Sequence, residues 1–440
     1  MRRLKSAALV GFAAVLSRGT AHADEPTFHV TGSVTLAYSD NILGAPDKPP
    51  PSRPDIAPPV ADFGLQFAPG VALLYVRSRA QLAVTYAHPM LLYFEHPLAN
   101  ASGDQVRFLG RFTPTAFDEL TTNAVVERVT SSLGNLTRRS GPGATVPAGD
   151  ETVVNLIVAQ TYARALTPMW SLNGTGNVGV GVPLEGSTGI LSGGLSVGPE
   201  FALERHRFGI APTLQYARPL SFDDGAGGDQ LIAGGEARWG WDWTENWSSN
   251  LSGGVVAPVD SAMGQRVRPV GAAAVYFQAL GGYTAALAYA RGYAPNLITG
   301  QYFFSDTTTF HAGLPVYRPY SLEVRADAAF GLNRVVDFES GAADESAKTT
   351  TLDLVFGWFP KRSPHVSLRY QYTRQFGAPE DQVLLPNLDR HLGALTVEYI
   401  WPPRTLVVAT GGSHRVDRTD QPIEEFVDDE PAPRAPAREP

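Results

Sequence analysis

His365 and Ser367 stand two residues apart in His365-Val366-Ser367, and on an extended strand that spacing puts an imidazole and a hydroxyl on one face. A general base and a nucleophile need such a pairing. Here it follows directly on the proline turn Pro360-Lys361-Arg362-Ser363-Pro364, and no further group completes it. The other histidines are scattered singly, with no His-x-x-x-His or His-Glu pairing of the kind zinc requires. Gly174 to Gly181 is rich in glycine but lacks the lysine and helix signal of a phosphate loop. The chain has no cysteine, which excludes disulfides, thiolate metal sites, cysteine nucleophiles and a lipid-anchored cysteine. No catalytic, metal or cofactor site is expected.

What does recur is charge placed at alternate positions of otherwise apolar runs. Arg107 and Arg111, Glu119 and Glu127, Glu236, Arg238 and Asp242, Glu323, Arg325 and Asp327, Asp353, Arg369 and Glu398 all follow this rule. Their signs are mixed. A pore strongly selective for one sign of ion would show a run of like charges, which focuses a field on the permeant ion. Mixed charge among Asn, Gln, Thr and Ser suits a neutral, hydroxyl-rich solute. The blander reading is cross-strand ion pairs that rigidify a wall and keep it wet.

The elements that carry these charges are strands. From Phe28 to about Val416 the chain repeats runs of roughly 10 to 14 residues with apolar side chains at every second position, joined by turns. Tyr320 to Leu332 illustrates it: Tyr320, Leu322, Val324, Ala326, Ala328, Phe330 and Leu332 alternate with Ser321, Glu323, Arg325, Asp327 and Gly331. A period of two sends the two sets to opposite faces. Lipid against the apolar face and water against the polar one account for both, so the fold class is all-β, a transmembrane antiparallel β-barrel. Arginine at Leu322 or Val324 should then impair assembly, whereas alanine at Glu323, Arg325 and Asp327 should alter conductance alone.

Short connections such as Val76-Arg77-Ser78-Arg79, Glu204-Arg205-His206 and Thr244-Glu245-Asn246 alternate with longer polar ones, among them Asn41 to Pro59, Tyr93 to Asp104, Leu133 to Asp150, Ser221 to Gly228, Val335 to Ala347 and Ala378 to Asp389. In outer-membrane barrels the short turns are periplasmic and the long loops extracellular. The count is about 18 strands. Arg404 to His414 is a candidate nineteenth, and Ile423 to Val427 a weak strand that would return the chain. Val270 to Ala290 is apolar over the length of a membrane helix, but Gly281-Gly282 at its centre marks a hairpin. Trp239, Trp241 and Trp243 alternate on the lipid face near a turn, as an interfacial girdle does.

Residues 1–23 read as a signal peptide: Arg2, Arg3 and Lys5, an apolar run from Ala7 to Leu16, and Ala21-His22-Ala23 as the cleavage site. The barrel then occupies 24–416, with no room for an N-terminal plug. Residues 417–440 form an acidic, proline-rich tail expected to be disordered. With 35 basic and 43 acidic residues there is no basic excess for nucleic acid.

The first hairpin, with Tyr38-Ser39-Asp40-Asn41-Ile42 ending its first strand and Phe67-Ala68-Pro69-Gly70-Val71 in its second, resembles the outer-membrane β-barrel porins associated with exopolysaccharide secretion. The resemblance covers the first quarter of the chain. It implies a passive channel in the outer membrane of a Gram-negative bacterium, with outer-membrane lipid around it, a secreted polysaccharide as the solute, and periplasmic export components as separate chains. The alternative is a general diffusion or nutrient-uptake porin, which a loop folded into the lumen or a trimer interface would favour. A barrel enzyme or adhesion scaffold is a third reading.

Overall fold

The computed structural model describes residues 26–47, 58–130, 152–184, 189–220, 229–259, 267–279, 281–296, 301–317, 321–336, 346–360, 364–377 and 387–401. The alternating runs form β1 (Thr27–Ser39), β2 (Asp62–Arg77), β3 (Ala80–Ala87), β4 (Met90–Tyr93), β5 (Ala101–Ser102), β6 (Asp104–Phe112), β7 (Asp118–Thr130), β8 (Thr152–Ala165), β9 (Trp170–Pro183) and β10 (Gly189–Leu203). They continue as β11 (His206–Leu220), β12 (Gln230–Asp242), β13 (Trp247–Pro258), β14 (Arg268–Gln278), β15 (Thr284–Asn296), β16 (Gln301–Tyr317), β17 (Leu322–Val335), β18 (Ser346–Trp358), β19 (His365–Phe376) and β20 (Leu388–Trp401). Every pairing is antiparallel, and β20 returns to β1 from Val30↔Trp401 to Ser39↔Leu392, which closes the sheet.

The twenty ladder segments make 18 wall strands. β3 and β4 pair with β2 in one continuous register, as β6 and β5 do with β3 and β4, so each couple is one strand interrupted at His88-Pro89 or Gly103. Pro89 has no N–H to give the ladder, and its carbonyl accepts from Gly103 instead, at 2.9 Å. The connection expected between Tyr93 and Asp104 is accordingly shorter, a single turn of 3₁₀ helix at Pro97–Ala99. An even count matches single-chain bacterial barrels. Closure needs no nineteenth strand. Arg404 to His414, Ile423 to Val427, the signal peptide and the tail lie outside the described residues.

Val270 to Ala290 is a hairpin. β14 and β15 pair from Gly271↔Arg291 to Gln278↔Thr284, and Gly282 takes φ +79° in the turn, a conformation that L side chains rarely adopt. No helix among the described residues is long and apolar enough to cross a membrane. Gly70 answers a close approach between β2 and β3, where a Cβ would lie 2.4 Å from the Tyr86 carbonyl oxygen.

Among the described residues nothing packs on the outside of this single-layer wall, so its buried residues identify the inside. His29, Gln230, Ser305, Gln371 and Gln375 are all buried. The opposite parity carries exposed apolar residues such as Val34, Leu195, Ile210, Leu251, Leu287, Phe310 and Leu368. Exposed aliphatic side chains in a continuous band are stable only against lipid.

Aromatic residues edge this band unequally. All seven tryptophans follow the outward parity at the end where the short turns lie, beside Leu166–Met169, Trp243–Asn246, Phe359–Pro360 and the barrel's closing residue. Trp239, Trp241 and Trp243 stack in sequence, with ring centroids 6.0 and 5.1 Å apart, and His206 joins Trp241 at 5.5 Å. Trp241 lies at the centre of this stack. Trp241→Ala is expected to cost about 1 kcal/mol or more, the scale of aromatic pair contacts beyond area burial. Urea unfolding in lipid vesicles would read it. An unchanged midpoint would mean that the stack does not anchor the wall.

Candidate functional site

The register brings the inward charges together in pairs, because side chains two apart on a strand or directly across from one another share a face. Arg111 donates to Glu119 through both Nε at 3.0 Å and Nη2 at 2.9 Å. Glu127 accepts from Gln105 at 3.0 Å and Asn155 at 3.2 Å. Arg238 reaches Ser196 at 2.9 Å and Glu236 at 3.4 Å, and Asp242 lies 3.6 Å from Arg207. Arg325 donates to Glu323 at 2.9 Å while its guanidinium covers the Phe359 ring. Arg369 grips both carboxylate oxygens of Asp353, and Asp327 lies 2.7 Å from His311.

Arg107 stands exposed opposite Thr85 and Val125, and Glu398 faces Ser33 and His365 across the closure seam. Thus all thirteen charges read from the sequence lie on the face opposite the apolar band. They lie on β6, β7, β12 and β17 to β20 and do not converge on one centre.

Three further inward groups, Glu200, Arg207 and His311, obey the same period of two. Glu200 accepts from Asn173 at 3.1 Å. Their signal was present in the alternation of β10, β11 and β16. His365 lies with its Nε2 3.1 Å from the Pro360 carbonyl and its ring edge-on to Phe359, which ties down the turn before β19. Among the described residues no group of three His, Asp or Glu could hold a metal ion.

The mouth at the long-loop end is different in kind: apolar clusters pack on its inside, beside buried polar groups such as Gln230 and Gln375. One cluster joins Ile42, Leu91, Tyr93, Ala99, Ala101 and Val129. Ile42 belongs to the segment after β1, which folds in and clasps itself where Asn41 Nδ2 donates to the Ala45 carbonyl at 2.7 Å and Asn41 Oδ1 accepts from Ala45 N–H at 2.8 Å. Asp40 accepts from the His391 N–H at 2.7 Å, which fastens the same segment to β20. The Ser39-Asp40-Asn41 element that carried the family resemblance therefore anchors a loop at the seam.

The second cluster joins Ile190, Ala217, Ile232 and Val256 of the inner wall with Phe304 and Val336, and Tyr293 packs against it. β15 and β16 pair as far as Asn296↔Gln301, five residues past the last pair that β15 makes with β14, so on the β14 side their tip parts from the wall while β16 stays paired with β17 as far as Phe303↔Val335. Tyr293 and Phe304 follow the outward parity of Leu287 and Phe310. A tip displaced inward turns its outer face to the inner face of the neighbouring wall, and this explains why both are covered. β15 comes within 8 Å of β10, although four strands lie between them in the wall. Arg268 and Arg291 place their guanidinium carbons 5.0 and 5.3 Å from the centre of the Phe304 ring.

No family model matches the sequence, and no curated protein matches it. Among solved structures the chain is similar to Pseudomonas aeruginosa OpdO at 12% identity, covering 85% of this chain and 97% of that one with a TM-score of 0.41. It is similar to P. aeruginosa OccK2 (OpdF), solved in complex with glucuronate, at 9% identity over 86% and 98% with a TM-score of 0.44. Acinetobacter baumannii OccAB3 matches at 10% identity over 86% and 100%, with a TM-score of 0.42.

Proposed function

We propose that this chain is a passive outer-membrane channel of a Gram-negative bacterium that admits small hydrophilic solutes, as a diffusion or nutrient-uptake porin does. The observation that carries the reading is the β15–β16 tip folded inside the mouth of an 18-strand barrel. A wall of this strand number is wide enough to enclose water. The inward tip and the clasped segment after β1 narrow that path where solute enters. Below the mouth, the thirteen inward charges and their partners supply a polar, largely ion-paired lining that wets the path without a strong field of either sign.

Conduction of a polysaccharide, with periplasmic export partners, is the reading that the first hairpin suggested. It is less well supported, because an extended polymer needs an unobstructed bore and the Ser39-Asp40-Asn41 element is engaged in fastening a loop.

Planar-bilayer conductance and liposome swelling with saccharides of increasing length test the proposal. The expected result is stable open-channel current, permeation by monosaccharides and disaccharides, and exclusion of longer chains. Alanine at Glu323, Arg325 and Asp327 together should change conductance and leave insertion intact. Equal permeation by long oligosaccharides would favour the polymer conduit, and insertion without current would sink the channel altogether.

A further inference from the structure

One side-chain pattern recurs on the outward face and is not part of the lumen. A tyrosine and an arginine or histidine stand two apart on one strand, and both lean on an aspartate of the adjacent wall strand. It occurs as Tyr86, His88 and Asp104, as Tyr162, Arg164 and Asp118, as Tyr216, Arg218 and Asp229, as Tyr289, Arg291 and Asp306, and as Tyr372, Arg374 and Asp389. Four of the five lie at the long-loop end, the rim opposite the tryptophans. The wall thus has an indole edge on one side and an ionic edge on the other.

The three most open of these long-loop clusters have a common design. The phenol holds the carboxylate at 3.0 Å for Asp104, 2.8 Å for Asp229 and 3.0 Å for Asp389. The cation is held less tightly in two of them: Arg218 and Arg374 approach their aspartates most closely through Nε, at 3.4 and 3.5 Å, longer than a well-formed charge-assisted hydrogen bond. Arg128 completes the Asp104 cluster at 2.8 Å, beside His88 at 2.9 Å. The guanidinium groups stay half exposed, at 43% for Arg128, 57% for Arg218 and 54% for Arg374.

Half-exposed arginines just beyond an apolar band meet lipid headgroups, and a planar guanidinium matches the oxygens of a phosphate. We infer that these long-loop clusters bind the phosphate groups of outer-leaflet lipid, with tyrosine and aspartate fixing each arginine at headgroup height. The charge fits. The chain as a whole carries −8, yet in these clusters Arg128, Arg218 and Arg374 match Asp104, Asp229 and Asp389 one for one. The Asp306 cluster, which also takes Arg334 at 2.9 Å, sits at the pivot of the inward tip and serves that bend instead.

The inference rests on the membrane placement proposed above, and the test separates the two. The detergent-purified full barrel is titrated with bisphosphorylated lipid A, with the same lipid after dephosphorylation, and with inorganic phosphate. Heat-modifiable gel mobility checks folding, and bilayer conductance checks the channel. Saturable binding of the phosphorylated lipid is expected, with a loss of about fivefold for each of Arg128→Gln, Arg218→Gln and Arg374→Gln. Conductance should not change. Asp229→Asn keeps an oxygen to position Arg218 but removes the carboxylate charge that competes with lipid phosphate, and should tighten lipid binding; if the cluster were only an internal tie, it would lower stability with no gain in lipid binding. Equal binding of the dephosphorylated lipid, undiminished binding by the folded arginine variants, or competition by millimolar inorganic phosphate alone would overturn the assignment.

Discussion

Ala328→Arg is expected to destabilise the folded barrel by about 2–4 kcal/mol, the cost of a cation on the lipid face at the bilayer midplane. Ala328 lies outward between Phe310 of β16 and Leu352 of β18, three outward steps from Leu322 and three from Arg334. Both ends of that series sit at interfaces. Leu322 faces Trp358 in the tryptophan girdle, and Arg334 joins the Asp306 cluster. An arginine at Leu322 can snorkel into the headgroups and should cost only about 0–1 kcal/mol, with Val324 between the two. The sequence-level expectation gave Leu322 and Val324 the same penalty, because alternation tells which face a residue occupies but not how deep it lies. Urea unfolding in vesicles across Leu322→Arg, Val324→Arg and Ala328→Arg reads the gradient. A flat series, or one that falls toward Ala328, would mean that the band does not contact lipid as described.

Period-two alternation was legible over nearly the whole wall, since each strand has one polar and one apolar face. It was enough to place Glu323, Arg325 and Asp327 on one side of β17 and Leu322, Val324 and Ala328 on the other. It also resolved Val270 to Ala290 as a hairpin, where the pair Gly281-Gly282 interrupts the apolar run. Pairing partners were harder to read, because they depend on register. Arg369 meets Asp353 only because β18 and β19 align Val355 with Arg369 and Asp353 with Gln371. The alternation does not encode that offset. The loop after β1 was legible only as proline-rich and polar, whereas the inward fold of its residues 41–47 depends on Ile42 finding Leu91, Tyr93 and Val129 far along the chain.

Tyr293 and Phe304 defeat alternation for a different reason, and their removal gives the largest expected functional change. By parity they belong to the lipid face, yet Phe304 is 3% exposed because the tip has moved inside the wall and turned its outer face onto Ile190, Ile232 and Val256. Deleting a buried phenylalanine side chain costs about 3–5 kcal/mol of local packing. That loss falls on the long-loop end of this hairpin, because the β14–β15 ladder below Arg291 and the β16–β17 ladder below Arg334 do not include the lost contacts. Tyr293→Ala with Phe304→Ala is therefore expected to leave insertion and unfolding of the barrel nearly unchanged while conductance rises severalfold and longer saccharides begin to permeate. The chain has no cysteine, so Phe304→Cys supplies a single thiol for direct measurement of docking. It should react slowly with a membrane-impermeant reagent compared with Asp229→Cys at the half-exposed rim, and quickly once Tyr293 is also alanine. Equal labelling rates at Phe304→Cys and Asp229→Cys, together with unaltered conductance in the double alanine variant, would show that the tip does not narrow the channel.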